Sequence, residues 1–149
     1  MISAIGRRVG GVVLLLLLAM PAAAQNKVPP ARPLEALVKS SLMSLNDANL
    51  TGDYRVLHAR LSEPFRKQYT SERLKATFKE FNDKNVDIDI VTAMTPTYDQ
   101  PPYVDADGKL VVRGFFPTEP SRVSFEMDFI SGEGEWKLIR INVKVGPAR

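Results

Sequence analysis

The sequence predicts an α+β fold, with helices in its first half and strands in its second. Three observations carry this. Apolar residues recur at three- and four-residue spacing from Leu34 to Phe81. From Val86 onward the period changes to two, the repeat of a strand with one wet face. Short connections rich in Gly, Asp and Pro join the alternating runs, so their sheet should be mainly antiparallel. Helices and strands segregated along one chain argue α+β. The expected architecture is three N-terminal helices packed on a sheet of about four strands, in one domain over residues 34–146.

The first 24 residues read as a secretory signal peptide. Arg7 and Arg8 form the positive end, and an apolar run from Val9 to Met20 follows. Pro21 and Ala22-Ala23-Ala24 supply the small-residue exit, placing cleavage between Ala24 and Gln25. The run falls short of the roughly 20 apolar residues that a membrane span needs. The residues flanking Arg7-Arg8 do not extend them into a twin-arginine motif. The expected location is therefore secreted, or periplasmic in a Gram-negative host, with membrane contact only during export.

The whole chain carries 20 Lys+Arg against 17 Asp+Glu. Losing Arg7 and Arg8 leaves 18 against 17, a net charge of +1, and no basic face for nucleic acid. Arg66-Lys67, beside Glu63 and Glu72, reads as a solvated helix face. There is no cysteine, which excludes disulfides, thiolate zinc sites, a thiol nucleophile and lipid attachment at a lipobox.

Residues 25–33 hold Pro29, Pro30 and Pro33 and read as a flexible lead-in. The first helix is expected over Leu34–Leu50. Leu34, Leu37, Val38, Leu42, Leu45 and Ala48 form its stripe, while Ser40, Ser41, Asn46 and Asp47 fall mostly elsewhere. Gly52 suits a left-handed stop, and Asp53 can cap the next helix. Tyr54, Leu57, His58, Leu61 and Phe65 share a face of that second helix, which Pro64 breaks or restarts. Thr70 or Ser71 caps a third, carrying Leu74, Thr77, Phe78 and Phe81 and ending at Asp83–Asn85.

Val86, Ile88 and Ile90 alternate with Asp87 and Asp89, which predicts a strand. Pro96, Pro101 and Pro102 place residues 94–103 at a sheet edge or in a loop. Asp105-Ala106-Asp107-Gly108 is a turn. Strands are expected over Leu110–Phe116, Ser121–Ile130 and Trp136–Val145, the last two joined by Ser131-Gly132-Glu133-Gly134. In the final strand Trp136, Leu138, Arg140 and Asn142 should share one face, and Ile139, Ile141, Val143 and Val145 the other. Residues 147–149 form a tail.

Three stretches carry a resemblance. Leu37 through Gly52-Asp53-Tyr54 is similar to the first helix, and the turn after it, of the nuclear transport factor two-like (cystatin-like roll) superfamily. Trp136-Lys137-Leu138 resembles the opening of that family's closing strand. Gly114-Phe115-Phe116-Pro117-Thr118 resembles a segment of uncharacterised secreted bacterial proteins of this fold. The proline-rich Thr95 to Pro102 departs from the pattern, standing where the family has a clean strand. The resemblance implies a curved sheet wrapped on a long helix, a cone-like roll with an open wide end. The superfamily spans dehydratases, ketosteroid isomerases and partner-binding modules, so the fold implies no single activity.

A pocket at the wide end of such a cone would draw on Tyr54, His58, Arg113, Trp136 and Arg140 as ligand-binding candidates. His58, the only histidine, is the catalytic candidate. As a general base it would need a partner such as Glu126 or Asp128, and it would suit proton removal beside a carbonyl. Strand parity puts both carboxylates opposite Phe125, Met127 and Phe129, towards solvent. Asp105-x-Asp107-Gly108 resembles the start of a calcium loop, but the twelfth position is Phe116 instead of Glu. Asp87 and Asp89 read as the wet face of a strand. Asn49-Leu50-Thr51 matches a glycosylation sequon at a helix end. Phosphate loops, G-x-S-x-G and H-E-x-x-H are absent from the sequence.

No metal or cofactor is expected. The reading favoured is non-enzymatic binding of a partner protein, a second copy through the sheet, or a small apolar ligand. The alternative is a small lyase or isomerase using His58.

Overall fold

The computed structural model of the protein describes residues 27–147. The expected signal peptide, its Ala24–Gln25 cleavage site and the last two residues lie outside the described residues. Among the described residues no helix is long and apolar enough to cross a membrane.

Helix α1 spans Ala31–Thr51, so it takes up three residues of the expected lead-in. Pro33 is tolerated there because the first-turn N–H groups have no partner within the helix. Leu34, Val38, Leu42, Leu45 and Ala48 are buried along the expected stripe. Gly52 ends the helix at φ 74°, donating its N–H to the Ala48 carbonyl at 2.8 Å. Ser41 and Asn46, expected off the stripe, are buried as well. The Ser41 hydroxyl donates to the Leu37 carbonyl at 2.8 Å, so the helix backbone satisfies it.

The second and third expected helices each break in two. Helices α2 (Arg55–Arg60) and α3 (Glu63–Gln68) are separated at Leu61-Ser62, with Pro64 in the first turn of α3. The Asp53 carboxylate accepts the Arg55 backbone N–H at 3.1 Å and grips the Arg55 guanidinium. Those Arg55 bonds, the side-chain one first, hold its pKa down to about 2. Helices α4 (Ser71–Thr77) and α5 (Lys79–Asp83) meet at Phe78, and the Thr70 hydroxyl caps α4 by accepting from the Arg73 N–H at 3.2 Å.

The strand expected over Val86–Ile90 does not form. In its place a 3-10 turn covers Asp89–Ala93, with Ile88 buried and Ile90 exposed. Buried Asn46 is the cause. Its Oδ1 accepts the Ile88 N–H at 3.0 Å and its Nδ2 donates to the Asp87 carboxylate at 3.0 Å. Asp87 also accepts the Asp89 N–H at 3.0 Å. Side chains thus satisfy backbone donors that a strand would give to a neighbour. The pair Asp87/Asp89 is the start of a turn and not a strand face.

Five strands build one open antiparallel sheet: β1 (Thr97–Tyr98), β2 (Tyr103–Val104), β3 (Leu110–Phe116), β4 (Ser121–Gly132) and β5 (Glu135–Pro147). The order is β1-β3-β4-β5, with β2 also pairing β3. The prolines between β1 and β2 keep that edge short. Asp105–Gly108 forms the expected turn. The Asp105 carboxylate accepts the N–H groups of Asp107 and Lys109, both at 2.9 Å.

Val112, Phe116, Val123, Phe125, Met127, Phe129 and Leu138 face the helices and close the core with the α1 stripe. The expected parity of β5 fails at one point. Asp128 pairs with Arg140 while Phe129 pairs with Leu138, leaving Ile139 as an extra residue. This bulge hands the core side from Trp136 and Leu138 to Ile141 and Val143, and turns Arg140 and Asn142 outward.

Candidate functional site

Leu61 forms a parallel bridge to Leu138, and the Ser62 N–H donates to the Leu138 carbonyl at 2.8 Å. This staple fixes the end of α2 against β5. A groove of about 350 Å³ opens beside it, between α1, α2 and the start of β5. Its floor is Phe129, Leu138 and Ser41, all buried. Leu37, Val56, Ala59 and half-buried Trp136 make the walls, and Arg60, Glu135 and Lys137 make the rim. Val56 is 66 % exposed, an apolar wall with no cover. Trp136 is the only tryptophan in the chain.

Two other concavities lie among the described residues. One of about 420 Å³ lies between Glu80, Phe81, Lys84 and residues 143–146, and its Lys84 is already paired with Glu80 at 2.5 Å. The other, beside Ser62 and the β4–β5 turn, is about 210 Å³ and smaller than ordinary ligand pockets of about 300 Å³ or more.

The five ligand-binding candidates do not gather at one place. Only Trp136 lines the groove. Tyr54 is core: its hydroxyl donates to the Asn49 side chain, its ring stacks on Phe78 at 6.4 Å, and burial raises its pKa. Arg113 and Arg140 lie on the sheet face away from the helices, Arg113 paired with Asp128 at 2.7 Å and Arg140 with Glu126 at 2.8 Å. The Arg113–Asp128 contact is an ion pair without an aligned hydrogen bond to that oxygen. Glu126 also accepts from Asn142, and that bond, with the nearby arginines, lowers its pKa.

His58, half-buried on α2, has its Nε2 3.2 Å from the Arg66 carbonyl. A carbonyl only accepts, so in this contact Nε2 is the donor, and any base function would fall to Nδ1. The carboxylates weighed as its partners are on the far side of the sheet, held by arginines. Asp128 is buried at 9 % exposure, against the solvent-facing position expected for it, because Arg113 folds over it.

The sequon asparagine is buried too, at 4 % exposure, and serves as the acceptor for Tyr54. Asp105 spends its carboxylate on backbone amides, and the described residues contain no group of three or more His, Asp or Glu able to hold a metal ion.

Sequence reading missed Arg60 and Val56 as site residues. Arg60 stands in an ordinary charged helix pattern, and only the α2–β5 staple brings it to the groove. Val56 stands off the apolar stripe of its helix, a weak sign that it does not face the core. The chain matches no protein-family model, no curated protein and no solved structure.

Proposed function

We propose that this chain is an exported binding domain that works without covalent chemistry, and that the groove beside Trp136 holds a small apolar ligand. The observation that carries this is an open concavity of mixed lining, with apolar floor residues, an aromatic wall and charges at its rim. The carboxylates weighed as partners for His58 are instead paired with Arg113 and Arg140 across the sheet, which supports a non-enzymatic role. The likeness to the nuclear transport factor two-like roll belongs to the same proposal. Its support is the order of helices before an antiparallel meander.

The test is titration with N-phenyl-1-naphthylamine, an uncharged apolar fluorophore, into the chain lacking its first 24 residues. Saturable binding at one site is expected, with loss on Val56→Asp. Val56 is exposed, so that variant keeps the core intact. No binding, or binding indifferent to Val56→Asp, would refute the proposal. So would a dimer by light scattering that shields Trp136 from a soluble quencher, which would put a second copy in the groove.

A further inference from the structure

Resting on that reading, we propose that the groove takes a small amphipathic carboxylate, its apolar body against Trp136 and its carboxylate on Arg60. The groove is polarised by depth. Its floor of Phe129 and Leu138 offers nothing to a polar head, and the Ser41 hydroxyl there already donates to the Leu37 carbonyl. A polar group on the ligand therefore belongs at the rim.

The rim selects its sign. Lys137 is taken by Glu135 at 2.9 Å, with Glu133 at 3.8 Å. Arg60 differs: among the described residues it makes no close ion pair. The Glu135 carboxyl has its pKa lowered first by the bond from the nearer Lys137, and Arg60 adds to this only through space. Its Nη1 donates to the Ser40 hydroxyl at 3.3 Å, which leans the head group over α1. A guanidinium has five N–H donors in a planar fork that matches a carboxylate, so most of Arg60's capacity is left for a ligand. A cationic head would meet Arg60 and Lys137, with only Glu135, already paired with Lys137, to attract it. A neutral head would leave Arg60 as it stands. A carboxylate gains a charge-assisted pair at a half-buried position, where such pairs are stronger than in open water.

The experiment monitors Trp136 emission, the sole tryptophan signal, during titration with decanoate, decanol and decyltrimethylammonium below their micellar concentrations. The parent should bind decanoate about tenfold tighter than decanol, the scale of one charge-assisted pair, and the cation weakest. Arg60→Gln should bring decanoate down to decanol while leaving decanol unchanged. Arg60→Lys should keep part of the preference. Glu135→Gln, which removes the rim's negative charge, should tighten decanoate. The inference is overturned if decanol or the cation binds as tightly as decanoate, or if Arg60→Gln leaves the ratio intact. The apolar-groove reading survives either result. If no probe moves Trp136 emission, both fall together.

Discussion

Gly114 sits on β3 directly opposite Tyr98 of β1, and replacing it with alanine tests how tightly that edge is built. A Cβ at this position points into the core. It would meet the Thr97 carbonyl oxygen closer than any real contact allows, with the Tyr98 Cα and the Phe125 Cζ both at 3.1 Å. The first two are backbone atoms of the strand paired to Gly114 and Phe115, so no rotamer change relieves them. Phe125 has little room either, being 2 % exposed and tilted against Phe116 at 5.6 Å. Overpacking costs about 1–3 kcal/mol, and a clash with fixed backbone belongs at the upper end, about 3 kcal/mol.

For a domain of this size that is a fall in Tm of roughly 10 °C. Urea unfolding tracked by far-ultraviolet circular dichroism measures it. Gly146→Ala is the control, because a Cβ there meets nothing within 4 Å. The control should stay within about 0.5 kcal/mol of the parent. If Gly114→Ala is equally silent, β1 does not press on β3 as described.

The same geometry yields two more expected outcomes. Tyr54→Phe removes the donor to Asn49 and leaves a buried amide oxygen unpaired, so urea unfolding should show a loss of about 1–3 kcal/mol. An unchanged midpoint would mean that the pair contributes nothing. Acid should destabilise the fold, because Asp53, Asp105 and Glu126 all have lowered native pKa values. Their contribution is complete above the unfolded carboxylate range near pH 4 and is lost as pH falls through the native values, which for Asp53 is about 2. Asp53 is exposed and Asp105 and Glu126 are half-buried with solvent contact, so the loss is screened and modest. Urea midpoints taken from pH 7 down to pH 2.5 should decline below about pH 4, and a midpoint that rises there contradicts the assignment.

The α1 stripe, the Gly52 stop, the Thr70 cap, the Asp105–Gly108 turn and the three long strands were all legible in the chain. Each rests on neighbours in sequence, through helical spacing, strand alternation or a side chain bonding to backbone two or three residues away. The Val86–Ile90 segment misled because its alternation is genuine while its backbone partner is Asn46, 42 residues from Ile88. Parity along β5 failed for a similar reason, since a bulge belongs to a pair of strands and leaves no mark in either one.

The candidate site divides in the same way. Trp136 could be singled out as a large aromatic at the head of a strand. Arg113 and Arg140 could not be sorted from it without the pairing that places them on the far face with Asp128 and Glu126. The sequence by itself determined the class of fold, the periodic elements and the lack of any thiol chemistry, because periodicity and composition are local properties. The tertiary structure alone decided which charges form a close ion pair and which, like Arg60, meet a carboxylate only through space, because ion pairing depends on distances across the fold.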